Sequence, residues 1–346
     1  LMPAQRTTPE SSDIFRTIGR SSGKPKAVVM EVSSHALALD RIAGMSFDYA
    51  VWTNLTQDHL DFHKSMDDYY QAKKLLFTRY LKPGGRAIIN IDDPWGRRLA
   101  AELATVEKTT YGRSDDARVR ILRGNSSPEG TGIELRFGET TERFDSKLSG
   151  DFNVYNMTAL AAGAYALPID TNVIARCFAG MAVVPGRMER VALDADFSVF
   201  VDYAHTPDAL ENVLAAARKF TTKKIICVFG CGGDRDTTKR PLMAAAVARH
   251  SDEAIVTSDN PRNEDPGAII EDILQGMPLD FPHTVIPDRR EAIGRALAKA
   301  GPGDCIIVAG KGHEDYQEIR GVRSHFDDKE TVVELFAARE RHHAAV

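Results

Sequence analysis

The chain has 346 residues, with 44 Lys and Arg against 49 Asp and Glu, and this net charge of -5 argues against a protein that binds nucleic acid by neutralising phosphates. Hydrophobic residues make up 43% of the chain and charged residues 27%, which is ordinary for a globular protein and excludes general disorder. The length favours two domains, and the longest nearly apolar stretch, residues 157–167, is too short to cross a bilayer.

The first half of the chain is predicted to be an α/β domain. Strand-like runs cover residues 27–32, 49–55 and 86–91, and they alternate with helical patterns over residues 66–81 and 95–103. Such alternation is typical of a mostly parallel sheet with helices packed on it.

A change of pattern follows this domain core. Residues 119–148 are less apolar, and their Gly, Thr and alternating residues predict an antiparallel β insert. A helix rich in small residues is predicted over 151–167, and the segment 183–187, with its Pro-Gly pair, breaks the pattern. We therefore predict two domains, residues 1–184 and 185–346.

The second half of the chain is predicted to be a doubly wound α/β domain. Its strands are predicted at residues 199–203, 224–229, 253–258, 283–286 and 305–309, with helices between them. These runs are rich in Val and Ile rather than alternating, as expected for parallel strands that are covered on both faces. Such a sheet places its ligand crevice at the carboxyl ends of the strands.

Polar groups and glycines follow four of these five strands. They are Asp202 and His205 after the first strand, Gly230 to Asp236 after the second, Asp259, Asn260, Pro261 and Arg262 after the third, and Gly310 to Glu314 after the fifth. Because the carboxyl ends of parallel strands meet at one edge of the sheet, these groups predict a site for a polar ligand.

The glycine loop at Gly230 invites a dinucleotide interpretation, which the spacing does not support. The third glycine of the G-x-G-x-x-G pattern is replaced by Arg235, and the acidic residues Asp252 and Glu253 precede the next strand instead of following it. A dehydrogenase is therefore disfavoured. Arg235 and Arg262, with Asn260 and Glu314, would instead suit a zwitterion. The alternative is that both arginines pair with Asp234, Asp236 or Glu264 at the rim of the loop.

The first half carries candidate metal ligands. Glu31 lies at the end of a predicted buried strand, where a carboxylate needs a partner such as a hard cation. His59 and His63 are four residues apart but lack the Glu of H-E-x-x-H, which disfavours a zincin, and the oxygen-rich surroundings favour Mg²⁺. The alternatives are a helix cap for Asp58 and a surface role for His63. Lys73 is, by pattern alone, a solvated lysine on a helix.

The four cysteines form no C-x-x-C pair. Three of them, Cys227, Cys231 and Cys305, lie within or at the ends of strand-like runs. This usage predicts reduced, buried thiols and a cytoplasmic protein.

Seven ordered motifs together resemble those of the Mur ligases. They are Met30 to His35, Thr53 to Asp61, Gly186 to Glu189, Asp202 to Pro207, Gly230 to Asp236, Asp259 to Arg262 and Gly310 to Glu314. The resemblance implies a central ATP-binding domain, truncated at its N-terminus, followed by a Rossmann-like domain that binds an amino acid. It also implies a monomeric enzyme of cell-wall synthesis.

The resemblance assigns roles to individual residues. It implies that Glu31, His59 and Lys73 hold Mg²⁺, that Lys73 is carbamylated and catalytic, and that His205 is catalytic. The nucleotide contacts are Asn156, Arg187, Asp202 and His205. Contacts to UDP-N-acetylmuramoyl-L-alanyl-D-glutamate are Thr7, Thr8, Ser34 and Arg41, and the diaminopimelate site is Arg235, Asp259, Asn260, Pro261, Arg262, Gly310 and Glu314.

The implied reaction is ATP-dependent amide-bond formation through an acyl phosphate, with meso-diaminopimelate as the incoming amino acid. Arg262 in Asp-Asn-Pro-Arg favours diaminopimelate, since a guanidinium can offer two hydrogen bonds to its distal carboxylate. A lysine-adding relative and a non-catalytic amino-acid-binding module remain as alternatives. The glycine-rich ATP loop that resembling ligases carry is not found in these residues, so we expect ligation by this chain alone to be very slow.

Overall fold

The structure is a computed structural model and describes residues 8–21, 23, 26–56, 59 and 62–344. Within these residues the helices are α1 (Ser11–Arg20), α2 (Ser34–Ala38), α3 (Met66–Thr78), α4 (Pro94–Glu102), α5 (Phe152–Ala166), α6 (Thr171–Ala179), α7 (Pro207–Arg218), α8 (Lys239–His250), α9 (Pro266–Leu274), α10 (Arg289–Lys299) and α11 (Asp328–Ala344).

The strands within the same residues are β1 (Phe47–Trp52), β2 (Leu81–Asn90), β3 (Glu107–Gly112), β4 (Val119–Ser127), β5 (Gly130–Phe137), β6 (Thr140–Ser146), β7 (Glu189–Val191), β8 (Ser198–Asp202), β9 (Ile225–Phe229), β10 (Glu253–Val256), β11 (His283–Val285), β12 (Cys305–Ala309), β13 (Tyr316–Ile319) and β14 (Val322–His325).

Contacts between residues divide the chain into two compact units. The first runs up to Arg123 and includes Ile133–Arg143 and Tyr155–Arg176; the second comprises Gly124–Gly132, Phe144–Val154 and the chain from Cys177 onward. The predicted domain boundary between residues 184 and 185 stays a prediction.

A six-stranded sheet begins in the first unit. Its strand order is β1-β2-β3-β4-β5-β6, and the pairs β1–β2, β2–β3 and β3–β4 are parallel, as predicted. Strands β4, β5 and β6 follow one another in the sheet through loops of two residues, which only antiparallel neighbours allow. They form the β insert predicted for residues 119–148.

Helices α3 and α4 are held against this sheet by their caps and apolar faces. The side chain of Ser65 accepts a hydrogen bond from the Asp68 amide at the start of α3, and Asp93 does the same for Gly96 at the start of α4. Asp93 also accepts a hydrogen bond of 2.8 Å from Trp52 Nε1. The α4 cap is thereby tied to the end of β1.

The strand predicted at residues 27–32 is wrong. These residues are described without ladder pairing, and Val29 is 94% exposed. A run of β-branched residues becomes a strand only beside a neighbour that accepts its hydrogen bonds, and here the Glu31 carbonyl instead accepts a bond of 3.0 Å from the Thr8 hydroxyl. The helix predicted at 66–81 ends at Thr78, and Leu81 already begins β2.

The second unit contains the predicted doubly wound sheet. Its strand order is β11-β10-β9-β12-β8-β7, in which the first five strands are parallel and β7 is an antiparallel edge. Alternate residues of each central strand face opposite ways. Phe200 packs with helices α7, α8 and α9 on one face, whereas Val199 and Val201 pack with α10 and α11 on the other. Burial on both faces explains why these strands are continuously apolar.

The cysteines of this unit are free thiols. Cys227, Cys231 and Cys305 are buried, as predicted, while Cys177 is exposed. Burial raises the pKa of Cys231 and of Cys305 to about 12, so both stay protonated at neutral pH. Of the helices that the structure describes, none combines the length and apolar character needed to cross a membrane.

Candidate functional site

Four polar loops of the second unit lie side by side. The strands that precede them, β10, β9, β12 and β8, are consecutive neighbours in the parallel sheet. Their carboxyl ends therefore meet at one edge, and the switch of strand order between β9 and β12 marks the crevice where such folds bind ligands. The predicted convergence of the four loops is confirmed.

Lys311 lies at this edge among the polar loops, although no sequence pattern indicated it. Its side chain is fully buried directly after β12. The ammonium donates hydrogen bonds to the Tyr316 carbonyl and, at 3.4 Å, to Asn260 Oδ1. It also lies 3.6 Å from Glu314 Oε2 and 3.9 Å from Asp259 Oδ1. Burial lowers the pKa of Lys311, because desolvation disfavours its charged form.

The predicted substrate residues Asn260 and Glu314 are brought together. Asn260 Nδ2 donates a hydrogen bond of 2.8 Å to Glu314 Oε2, and Asn260 Oδ1 accepts one of 2.9 Å from the Glu318 amide. With only 2% of its surface exposed, Asn260 is fixed in orientation. The Gly310 backbone approaches Asp259 so closely that a Cβ there would lie 2.6 Å from Asp259 Oδ2.

Arg262 is held in a strained position against the glycine loop. Its φ of 51° lies in the left-handed region, and its amide and carbonyl bond to Glu318 and Arg320 of the β13 hairpin. The guanidinium Nη1 donates a hydrogen bond of 2.8 Å to the Gly233 carbonyl. The Gly233 amide in turn donates one of 2.9 Å to the carbonyl of Asn260. The two loops are therefore joined through main-chain atoms.

Arg235 and Arg262 had been given Asp234, Asp236 or Glu264 as alternative partners, but a third arginine takes Glu264. Arg240, which is 1% exposed, takes Glu264 as its partner at 2.8 Å, together with Asp272 at 2.9 Å. Arg262 is thus not neutralised by Glu264. Arg235 is exposed, and its Nη1 donates to the carbonyl of Asp234 within its own loop.

The predicted nucleotide contacts of the second unit surround the end of β8. Asp202 is 7% exposed and accepts hydrogen bonds from the amides of Met188, at 2.7 Å, and Ala204, at 2.8 Å. Burial raises the pKa of Asp202, although these two bonds oppose the shift. The guanidinium of Arg187 lies 5.1 Å from the ring centroid of Tyr203.

His205 has a defined tautomer in this arrangement. Its Nδ1 is 2.7 Å from the carbonyl of Tyr203. Since a carbonyl can only accept, Nδ1 carries the proton, and in the neutral ring Nε2 is left with its lone pair. The Lys239 ammonium, which no sequence pattern indicated, donates to the His205 carbonyl at 2.9 Å. Asn156, the fourth predicted nucleotide contact, is exposed in the first unit.

The first unit contains a cluster of imidazole and aromatic rings. His35 lies 4.7 Å from His59 and 5.6 Å from His63, and the ring of His63 stacks on Tyr69 at 4.9 Å. Burial, together with the His35 and His59 rings, lowers the pKa of His63. The Lys73 ammonium lies 5.3 Å from the centroid of Tyr69, so the structure brings Lys73 beside the cluster. A surface role for His63 is wrong, since it is 5% exposed.

The remaining predicted substrate contacts border this cluster. Ser34, which is buried, shares a hydrogen bond of 2.9 Å with Nε2 of His63. The hydroxyl of Thr8 accepts a hydrogen bond from the Ser33 amide at 3.0 Å. Arg41 Nε lies 3.3 Å from the carboxylate of Glu10. Thr7 lies outside the described residues, as does Asp58, the proposed helix cap.

The predicted magnesium ligands Glu31, His59 and Lys73 can hold the cation only if the Lys73 ammonium is converted to an anion. The carboxylate of Glu31 supplies the oxygen that Mg²⁺ prefers, whereas the imidazole of His59 is a less usual ligand for it, and an ammonium such as that of Lys73 repels a cation. Within the described ranges, no group of three or more His, Cys, Asp or Glu is arranged to hold a metal ion. A complete site here would need Lys73 to become an anion, as a carbamate would make it.

A parallel sheet with polar loops converging at one edge defines the class of α/β proteins that bind ligands at their strand ends. Residues 1–165 match the Mur ligase middle domain, and residues 186–312 match the Mur ligase glutamate ligase domain. The chain is 48% identical, over 97% of its length, to UDP-N-acetylmuramoyl-L-alanyl-D-glutamate--2,6-diaminopimelate ligase of Gloeobacter violaceus. The protein of the same name from Thermosynechococcus vestitus is 54% identical over 87% of the chain. The chain belongs to the Mur ligase family.

Solved structures agree with this assignment. A structure of UDP-N-acetylmuramoyl-L-alanyl-D-glutamate--2,6-diaminopimelate ligase matches 90% of the chain with 37% identity and a TM-score of 0.62. The MurF ligase of Thermotoga maritima in complex with ADP matches with a TM-score of 0.63 at 17% identity, which shows the shared fold alone. The chain spans 68% and 61% of the two sequence relatives and 64% of the first structure.

Proposed function

We propose that this protein contributes to ATP-dependent amide-bond formation, joining meso-diaminopimelate to UDP-N-acetylmuramoyl-L-alanyl-D-glutamate in the cytoplasm. The relatives of 46–54% identity are named for this reaction. The observation that carries the proposal within this chain is the placement of Arg262: its guanidinium bonds to the Gly233 carbonyl, while the nearby acid Glu264 pairs with Arg240 instead.

The amino-acid site is proposed at the strand ends of the second unit. Arg262 supplies a guanidinium for the distal carboxylate of diaminopimelate. Glu314, oriented by Asn260, supplies an acceptor for the ammonium on the same carbon. Asp259, Pro261 and Gly310 shape the loop around them. Arg235, which is exposed, is proposed as a second donor at the rim of the site.

The proposed reaction has two steps. The terminal glutamate carboxylate of the dipeptide attacks the γ-phosphorus of ATP, which releases ADP and forms an acyl phosphate. The amine of diaminopimelate then attacks the acyl carbon, and inorganic phosphate leaves from the tetrahedral intermediate while the amine loses a proton. His205, with the lone pair of Nε2 available, is proposed to accept a hydrogen bond or a proton at this stage.

Nucleotide and dipeptide contacts are proposed on the residues that resemble those of the family. ATP is proposed to contact Asn156, Arg187 and His205. Asp202 is proposed to act through the main chain that it orders, since it accepts hydrogen bonds from two backbone amides. Thr7, Thr8, Ser34 and Arg41 are proposed to contact the UDP-linked dipeptide. Both assignments rest on the resemblance of these residues to the motifs of the Mur ligases.

We also propose that Lys73 carries a carbamate. Its amine would attack CO₂ and lose a proton to solvent, which yields an anion that joins Glu31 and His59 as a ligand of Mg²⁺. When bound, the cation would neutralise charge on the transferred phosphoryl group. Protein equilibrated with ¹³C-bicarbonate should show a carbamate carbon signal that is absent from Lys73→Met. The same signal in both proteins would contradict this assignment.

The function is tested by phosphate release in the protein expressed from its complete reading frame. With ATP and the UDP-linked dipeptide, meso-diaminopimelate should support release with a kcat/KM at least about tenfold above that of L-lysine. Arg262→Lys keeps the charge but removes the two-pronged donor, and it should lower kcat/KM for diaminopimelate by about 10- to 100-fold. Arg249→Lys, on the exposed face of α8, serves as the matched control.

The outcome for L-lysine separates the proposal from its alternatives. Equal use of both amino acids, or a preference for L-lysine, would overturn diaminopimelate as the substrate. Phosphate release that no amino acid stimulates, together with binding of diaminopimelate, would favour a binding module.

A further inference from the structure

Lys311 lies buried between two loops at the edge where the amino-acid site is proposed. We propose that Lys311 is a positioning residue that adjusts the charge of this site so that it accepts one ammonium group. This inference rests on the proposed function, because it names what sets the specificity of the same site. Two observations carry it: the contacts of the ammonium and the number of charges enclosed with it.

The contacts of Lys311 reach both carboxylates of the site. Its Nζ lies 3.6 Å from Glu314 Oε2 and 3.9 Å from Asp259 Oδ1. It donates to Asn260 Oδ1, and Nδ2 of the same amide donates to Glu314. The side chain of Lys311 has no exposed surface, and those of Asp259 and Glu314 are 8% and 19% exposed. Little solvent is present to screen these charges.

The charges of Lys311 and of the two carboxylates that it contacts sum to one negative unit. Asp259 and Glu314 contribute two negative charges, and Lys311 contributes one positive charge. The other charged groups that face Lys311 are Arg289 and Asp328. These two are fully buried against each other at 2.7 Å and cancel. One negative charge matches the single ammonium on the distal carbon of diaminopimelate, whose carboxylate is left for Arg262.

Removal of Lys311 would change both the charge and the geometry. Two carboxylates would share the site without a cation, and Asn260 would lose one of the partners that orient its amide. A buried charge that loses its partner is costly. Without Lys311, the ammonium of the ligand would have to neutralise both carboxylates, and it would then be drawn away from its proper orientation. Replacing Asp259 by Asn in the same protein would restore one negative charge.

A purely structural role makes a different prediction. Lys311 also donates to the Tyr316 carbonyl and thereby ties the loop after β12 to the β13 hairpin. If that bond were its only contribution, a second substitution at Asp259 would not compensate for its loss. The double variant therefore separates charge adjustment from simple support of the loop.

The test uses Lys311→Met, Asp259→Asn and the double variant in the protein from the complete reading frame. KM and kcat for meso-diaminopimelate are measured by phosphate release, and folding is checked by circular dichroism. Each single variant should raise KM at least about tenfold with a smaller effect on kcat. The double variant should recover at least about tenfold of the KM lost in Lys311→Met. A double variant as weak as Lys311→Met, or weaker, would overturn the proposal.

Two further points keep the test decisive. Should Lys311→Met not fold, Lys311→Gln replaces it, because an uncharged amide can donate a hydrogen bond where the ammonium did. A wild-type protein whose phosphate release does not depend on diaminopimelate would overturn the proposed function itself. A wild-type protein that requires diaminopimelate, combined with no recovery in the double variant, would overturn only the role of Lys311.

Discussion

Substitution of Arg289 by Met should destabilise the second unit strongly. Arg289 and Asp328 are both fully buried, and they join the starts of helices α10 and α11. Nε and Nη2 donate hydrogen bonds of 2.8 and 2.7 Å to the two oxygens of Asp328, and Nη2 also donates one of 2.9 Å to the carbonyl of Ala309. Methionine retains the apolar part of the side chain and removes all three hydrogen bonds.

The size of the effect follows from what remains buried. Loss of one partner leaves the Asp328 carboxylate without a counter-ion in the core, which costs about 3–5 kcal/mol. Exchange of both residues, in Arg289→Met with Asp328→Asn, removes both charges of this pair, so that neither is left without its partner. The double variant should therefore be less destabilised than the sum of the two single variants by at least about 2 kcal/mol.

Urea unfolding measures both the destabilisation of each single variant and the non-additivity of the double variant. The positions of the tryptophans allow the unfolding of the two units to be told apart. The two tryptophans of the chain, Trp52 and Trp95, both lie in the first unit. Fluorescence therefore reports that unit, while circular dichroism reports both. In Arg289→Met we expect the dichroism transition to move to lower urea. A loss of less than about 1 kcal/mol, or single effects that simply add, would refute the reasoning.

Two further predictions concern the close backbone contact at Gly233 and the carboxylate of Glu102. A Cβ on Gly233 would lie 2.0 Å from the carbonyl oxygen of Pro261, so Gly233→Ala should displace the loop and raise KM for diaminopimelate at least about tenfold. The control Gly294→Ala, whose Cβ would have its nearest neighbour 3.7 Å away, should leave KM unchanged. Equal KM values for the two variants would contradict this prediction. Hydrogen bonds, first from Lys74, lower the pKa of Glu102 from 4.5 to about 2, so its stabilisation is complete above pH 4.5 and is lost as pH falls toward 2. Acid unfolding of Glu102→Gln should lack this component, and an unchanged pH profile would contradict the assignment.

The sheets were largely predictable because their signal is local. Every predicted strand of the second unit is confirmed within two residues. The central strands were predictable because burial on both faces keeps them continuously apolar. Residues 27–32 carry the same composition without a neighbour to pair with, so the same signal was misleading there. The hairpin of β13 and β14 was not predicted, because its residues are largely exposed and lack alternation.

The candidate site was predictable as a set of loops but not as a set of partners. Arg240 bonds to Glu264 and Asp272, which are 24 and 32 residues away, and no local pattern shows which of several acids an arginine will choose. Lys311 resembled any surface lysine in the sequence. Its position directly after a fully apolar strand and between two glycines is the signal that could have identified it, because a side chain there is forced inward at the strand end.

The place of β12 in the second sheet has a consequence for synthesis of the protein. This strand is late in the chain but lies between β8 and β9, where it pairs with both. Until residue 309 has left the ribosome, β8 and β9 each present an unpaired edge, and nothing can join the two halves of the sheet. A nascent chain arrested before Cys305 should therefore be readily degraded by proteases and prone to aggregate. Resistance to proteolysis should appear abruptly once β12 is complete.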